Sequence, residues 1–118
     1  ERIDTDTDQL RWARGYDHTY ILDKELGKLA IASRCSSPKT GIVMEVYTDQ
    51  PGVQLYTGNW MSGNLRGKHD HRYPARAALC LETQHYPDSP NKPEYPSTRL
   101  NPGETFRSTT IFRFTLKA

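Results

Sequence analysis

With 118 residues, 35% of them hydrophobic, and a mean hydropathy of −0.82, the chain has material for one compact domain with a modest core. Sixteen basic residues against fourteen acidic ones leave a net charge of only +2, and no Lys/Arg-rich run of the kind that tracks phosphates is present, which argues against nucleic-acid binding. No apolar stretch approaches the length of a membrane span and no signal peptide precedes Glu1, so a soluble cytoplasmic protein without membrane contact is expected.

In chain order, Glu1 to Gln9 reads as a surface segment ahead of a tightly specified turn at Gly15-Tyr16-Asp17-His18, a start that suits the back portion of something larger. Asp4, Asp6 and Asp8 lack the loop glycine and terminal glutamate of a calcium loop and read as a solvated acidic face. No window of eleven or more residues sustains apolar spacing at three and four, so little helix is expected. Strand signals recur instead at Tyr20 to Leu22, Lys28 to Arg34, Gly41 to Thr48, Val53 to Tyr56 and Ala78 to Thr83. The polar, glycine-containing stretch from Gly63 to Tyr73 and the stretch from Tyr86 to Pro102, with five prolines, are irregular. Tyr86 and Tyr95 in the second of these predict that it is ordered by packing. Asn101-Pro102-Gly103 is a turn into the last strand, Glu104 to Lys117. There, alternation puts Phe106, Thr110, Phe112, Phe114 and Leu116 on a face expected to be buried. The pattern predicts an all-β, sandwich-like fold with long functional loops.

Three polar groups stand where inward-facing roles are expected. Glu82 lies in the run Ala77-Ala78-Leu79-Cys80-Leu81-Glu82-Thr83-Gln84, sharing a face with Ala78 and Cys80. A carboxylate desolvated at the end of a buried strand has a raised pKa and becomes a usable proton acceptor near neutral pH. Asp17 sits at a loop-to-strand junction, and Gln54, between Val53 and Leu55, shares a face with Tyr56. Carboxylates, amides and aromatics on a concave β surface are what a sugar needs for its hydroxyls and its C–H face. Taken singly, Asp17 also suits a turn residue, Gln54 a solvated strand residue and Glu82 a carboxylate paired with arginine.

Other signals have plainer readings. Cys35 and Cys80 read as buried free thiols of a reducing compartment, a disulfide between them being the lesser reading because two cysteines are few for a secreted scaffold. His69-Asp70-His71 resembles a metal pair, but it has no third ligand block and falls in a polar loop, so no metal is expected. Trp60 suits either a sugar contact or a cap on the core, and Trp12 a packing role.

Four blocks carry a resemblance: Gly15-Tyr16-Asp17-His18; Pro51-Gly52-Val53-Gln54-Leu55-Tyr56-Thr57-Gly58-Asn59; Cys80-Leu81-Glu82-Thr83-Gln84 followed by Tyr86-Pro87-Asp88; and Leu100-Asn101-Pro102-Gly103-Glu104. In order and spacing, over essentially the whole chain, they resemble the aldose 1-epimerases, the galactose mutarotases. The resemblance implies a β-sandwich of the supersandwich type. Residues 1–118 would then be the C-terminal part of a single domain. It implies interconversion of the α and β anomers of free aldohexoses such as galactose and glucose, without cofactor or metal. On the matching positions, Glu82 is the general base, while Asp17 and Gln54 hold the sugar.

Two departures accompany the resemblance. The family's acid histidine and a second histidine lie in motifs upstream of the matched blocks, and His18, His69, His71 and His85 do not occupy those positions. The segment alone is therefore expected to be inactive and to need the missing part of the domain, or self-association. Arg76-Ala77-Ala78 also stands where a His-Ser-Gly-like stretch is common. A non-catalytic carbohydrate-binding or regulatory relative is the main rival. A sugar-phosphate epimerase is another, for which Arg66, Arg72 and Arg76 would be the phosphate ligands.

Overall fold

The computed structural model describes residues 2–117. It contains one short helix, α1 (Asp8–Ala13), and six strands: β1 (Asp17–Ile21), β2 (Ala30–Ser36), β3 (Ile42–Thr48), β4 (Gly52–Tyr56), β5 (Cys80–Gln84) and β6 (Thr110–Leu116). Single 3-10 turns occur at Arg2–Asp4, Lys68–Asp70 and Ser89–Asn91. The all-β class read from the sequence holds. The strands form two three-stranded sheets, ordered β1-β4-β5 and β2-β3-β6. The chain divides into two compact units, one of residues up to Thr19 with Gln54–Glu82, the other of Tyr20–Val53 with the residues from Thr83 onward.

In the first unit, α1 is too short to show a helical period in the sequence, which is why it was not expected. Its ends are well specified: Thr7 caps the first turn by accepting the Leu10 N–H at 3.4 Å. The chain then leaves through Arg14 in a left-handed conformation, φ 57°. Arg11 pairs with both Asp6 and Asp8, and Arg76 with Asp4 at 3.0 Å, so the acidic face is neutralised by arginines. Leu10 is the helix's buried residue, whereas Trp12 is 74% exposed and does not take the packing role expected of it.

In the second unit, β3 is the centre of an antiparallel ladder, with Met44 opposite Cys35 on β2 and Phe114 on β6. One face carries a cross-strand charge cluster. Glu45 lies 3.6 Å from both Arg34 and Arg113 and accepts the Tyr47 hydroxyl at 3.2 Å. Val46 is fully buried, and Val43 and Val53 are nearly so. The face of β6 expected to be buried is not: Phe114 and Leu116 are 64% and 75% exposed, and Phe106 and Phe112 are open too. β6 is an edge strand with only β3 beside it, and no described residues are laid across those rings.

The last strand also begins at Thr110 and not Glu104, for a local reason. The Asp49 carboxylate takes the Thr109 N–H at 2.8 Å and the Ser108 hydroxyl at 3.0 Å, while Asp49 N–H donates to Thr109 O at 3.2 Å. Asp49 thereby ends the ladder. Burial pushes its carboxyl up, but the bonds from Ser108, Thr109 and Gln50 outweigh that and hold its pKa below the ordinary 3.8. Upstream, Gly103 at φ 87° closes a turn in which Glu104 accepts the Asn101 N–H at 2.7 Å and its side-chain amide at 2.9 Å. The proline-rich loop is ordered, as expected. The Tyr86 and Tyr95 rings meet edge to face at 5.3 Å, and the Tyr86 carbonyl accepts the buried Ser89 hydroxyl at 2.6 Å.

Both cysteines are free, as expected. Cys80 is exposed, however, and Cys35 half-buried, so neither is the core thiol that their strand settings implied.

Candidate functional site

The site is built on a backbone lock between the turn before β1 and the turn after β4. Thr57 N–H donates to Tyr16 O and Tyr16 N–H to Thr57 Oγ1, each at 3.1 Å. Asn59 adds its Nδ2–H to Tyr16 O at 2.8 Å, and Thr57 Oγ1 lies 2.6 Å from Asn59 Oδ1. Gly15, at φ 145°, is the one residue type this lock admits, because a Cβ there would collide with Asn59 Oδ1. The Gly-Tyr-Asp and Tyr-Thr-Gly-Asn blocks are thus two halves of one clasp, and Asp17 and Gln54 project from the strands it joins.

Gln54 Nε2 donates to Asp17 Oδ1 at 2.7 Å. The amide cannot be turned the other way, since a carboxylate only accepts. Gln54 Oε1 then faces Thr19, whose hydroxyl donates to it. Thr19, two residues along the strand from Asp17 and hence on its face, belongs to the same polar cluster, which the sequence reading missed; strand alternation was the signal for it. Among the described residues Asp17 Oδ2 accepts no hydrogen bond, and Asp17 is exposed. The pair is therefore rigid at one oxygen and open at the other. His18 Nδ1 accepts the Asp17 N–H at 2.9 Å, so in its neutral form this ring carries its proton on Nε2.

Glu82 lies on β5, the strand beside the one that carries Gln54. Its carboxylate makes no hydrogen bond or ion pair to any described residue. It is exposed, as are Ala78 and Cys80 on its face, while Leu81 and Thr83 on the other are half-buried. Alternation assigned the two faces of this strand correctly but not which one is covered. The desolvation expected for Glu82 is absent from these residues.

The remaining polar signals fall elsewhere. His69 is in a left-handed conformation, φ 55°, within a 3-10 turn, so His69 and His71 do not share a strand face. Their rings meet edge to face at 6.5 Å, and no group of three His, Cys, Asp or Glu gathers among the described residues. Arg66 is paired with Asp70 at 2.7 Å and Arg76 with Asp4, so two of the three arginines considered for a phosphate already hold carboxylates. His85 belongs to the second unit, where its Nδ1 lies 2.8 Å from Gln50 Oε1. Among the described residues no helix is long and apolar enough to cross a membrane.

The class this defines is an all-β protein that presents an exposed carboxylate–amide pair on neighbouring strands, chemistry able to engage hydroxyl groups. Comparison with known proteins narrows this class. A model of the aldose 1-epimerase family matches residues 1–113, and the chain belongs to that family. It is 46% identical over 102 residues to galactose mutarotase of Mus musculus and 44% to that of Homo sapiens, in each case across 86% of this chain and 30% of the relative. It is 36% identical over 110 residues to aldose 1-epimerase of Escherichia coli K12, across 91% of this chain and 31% of that protein. A crystal structure of a GalM/aldose epimerase homologue from C. elegans superposes with a TM-score of 0.76 at 25% identity, across 87% of this chain and 30% of that one. The chain thus spans about 30% of the length of the relatives it matches.

Proposed function

We propose that residues 1–118 form the C-terminal part of a single aldose 1-epimerase β-sandwich domain, cytoplasmic, acting on free aldohexoses such as galactose and glucose. The observation that carries the sugar site is the Gln54–Asp17 hydrogen bond, which fixes one carboxylate oxygen and leaves the other for a ligand hydroxyl. In this reading Asp17 and Gln54 hold ring hydroxyls, and Glu82 takes the proton from the C1 hydroxyl. As that proton leaves, the bond between C1 and the ring oxygen breaks and the ring oxygen is protonated by an acid. The aldehyde turns about C1–C2, and closure on its other face returns both protons. General acid–base assistance of this kind is worth roughly 10²–10⁴-fold per group.

The acid is not supplied by these residues: none of the four histidines, His18, His69, His71 and His85, falls in the family's acid motifs. Freshly dissolved α-D-galactose followed by polarimetry is expected to mutarotate no faster with the 118-residue chain than without it; clear turnover would overturn this. Grafted in place of the matching stretch of a galactose mutarotase, the segment is expected to support activity, and Glu82→Gln to lower kcat by roughly 10²–10⁴-fold. Equal rates for the two grafts would remove Glu82 from the mechanism. The exposure of Glu82 favours one second reading, a carbohydrate binder without catalysis. It predicts that the graft binds sugar without turning it over.

A further inference from the structure

The clasp that places Asp17 and Gln54 also places two side chains that the sugar reading leaves unused. Arg14 immediately precedes Gly15, and Trp60 immediately follows Asn59, so the Gly15–Asn59 contact brings both to one spot. There the Arg14 guanidinium lies over the indole of Trp60, 4.5 Å from its centroid. Trp60 N–H donates to the Tyr56 hydroxyl at 3.1 Å, and Tyr56 lies on the Gln54 face of β4, two residues on. The contacts close a circuit within the first unit: Gln54 to Asp17, along the chain to Arg14, across to Trp60, and through Tyr56 back to Gln54.

Trp60 is 56% exposed, so it is not a cap on the core. An indole has two faces, and Arg14 occupies one. Arg14 backs one face of the ring and the Trp60 backbone N–H is tied to Tyr56, which leaves the other face open to a ligand and lowers the entropic cost of binding there. The negative face of an aromatic ring attracts the weakly positive C–H groups on the less polar face of a pyranose. We propose that Trp60 is a sugar-contact residue, stacking on the C–H face of an aldopyranose whose hydroxyls are held by Asp17 and Gln54, with Arg14 as a positioning residue that backs the indole. This rests on the sugar-site reading given above.

The test is a titration of the graft described above, a galactose mutarotase carrying this segment in place of its own and uniformly ¹⁵N-labelled, with D-galactose and D-glucose, followed by NMR. The indole N–H signal of Trp60 is expected to shift together with the Gln54 side-chain amide, while that of Trp12 stays still. Trp60→Ala is expected to weaken binding by roughly tenfold, the size of a good aromatic contact, and Trp60→Phe by much less. Arg14→Ala is expected to weaken it by less than Trp60→Ala, with Arg14→Lys restoring most of the loss. If the Gln54 amide responds to sugar but the Trp60 indole does not, or Trp60→Phe loses as much affinity as Gln54→Ala, the platform is refuted and the sugar site stands. If neither Gln54 nor Trp60 responds to either sugar, the site reading fails and the platform with it.

Discussion

The chain contains the same chemical pair twice, an aspartate beside a glutamine amide, and uses it in two ways. Near the end of β3, Asp49 has both oxygens occupied, Oδ1 by Ser108 and Oδ2 by the Thr109 N–H. Gln50, only 7% exposed, donates to Ser108 Oγ at 2.9 Å and faces His85 with its carbonyl. The orientation of that amide makes His85 Nδ1 the donor. Every side-chain polar atom of the pair has a partner in the protein, and the cluster ties together the turn after β3, the residue after β5 and the approach to β6. At Asp17 and Gln54 the amide is equally well oriented, by Thr19, yet one carboxylate oxygen has no partner among the described residues and the group lies open. A saturated polar pair stabilises a fold, and an oriented but unsaturated one is prepared for a ligand.

Substitutions at the two pairs should therefore separate stability from binding. The largest stability effect is expected at Gln50→Ala. It strands His85 Nδ1 at a half-buried position, while the exposed Ser108 hydroxyl keeps its bond to Asp49, at a cost of about 2 kcal/mol in urea unfolding, with sugar affinity unchanged. A loss of affinity with no loss of stability would reverse the assignment of the two pairs. Next, Gly15→Ala should cost about 1–3 kcal/mol, because the backbone is left-handed and the Asn59 amide has to move. It should weaken sugar binding as well, since the clasp carries the site. Asp17→Asn is expected to change stability by under about 1 kcal/mol and sugar affinity by roughly tenfold, as measured by calorimetry. Should Asp17→Asn unfold the chain, Asp17 would belong with Asp49 as a structural residue.

The contrast also explains what was legible in the sequence. Asp17, Gln54 and Glu82 were singled out because polar residues in apolar, turn-bounded strands demand a reason, and because their blocks resemble one family. Asn59 was missed because its role arises only when residues about forty positions apart are brought together, and Thr19 because alternation was not followed two residues beyond Asp17. Alternation gave the two faces of β5 and β6, but it cannot say which face a neighbour covers. That is why Glu82 and the Phe112–Phe114–Leu116 stripe are exposed where burial was expected. Helix α1 was invisible for a different reason, being shorter than the window in which a 3.6-residue period can be recognised. The start of β6 was misplaced because a side chain, Asp49, competes with the ladder for the Thr109 N–H.

The smallest effect tests the saturated pair by pH. Bonds from Ser108, Thr109 and Gln50 outweigh burial and hold the Asp49 carboxyl below its ordinary 3.8, so in acid the unfolded chain takes up this proton before the folded one does. The sign follows: the contribution of Asp49 is fully present above its unfolded pKa and fades as pH falls through the lower folded value. Glu104 is lowered too, by the Asn101 amide and N–H, and acts in the same direction, so the two must be separated by substitution. In urea titrations at successive pH values below about 4, Asp49→Asn should show a shallower loss of stability with acid than the parent chain. Comparison with Glu104→Gln and the double variant would apportion the slope. An acid limb in Asp49→Asn as steep as the parent's would mean that the carboxylate is no better solvated by Ser108 and Thr109 than by water. The distinction between the two aspartate–glutamine pairs would then rest on burial of Gln50 alone.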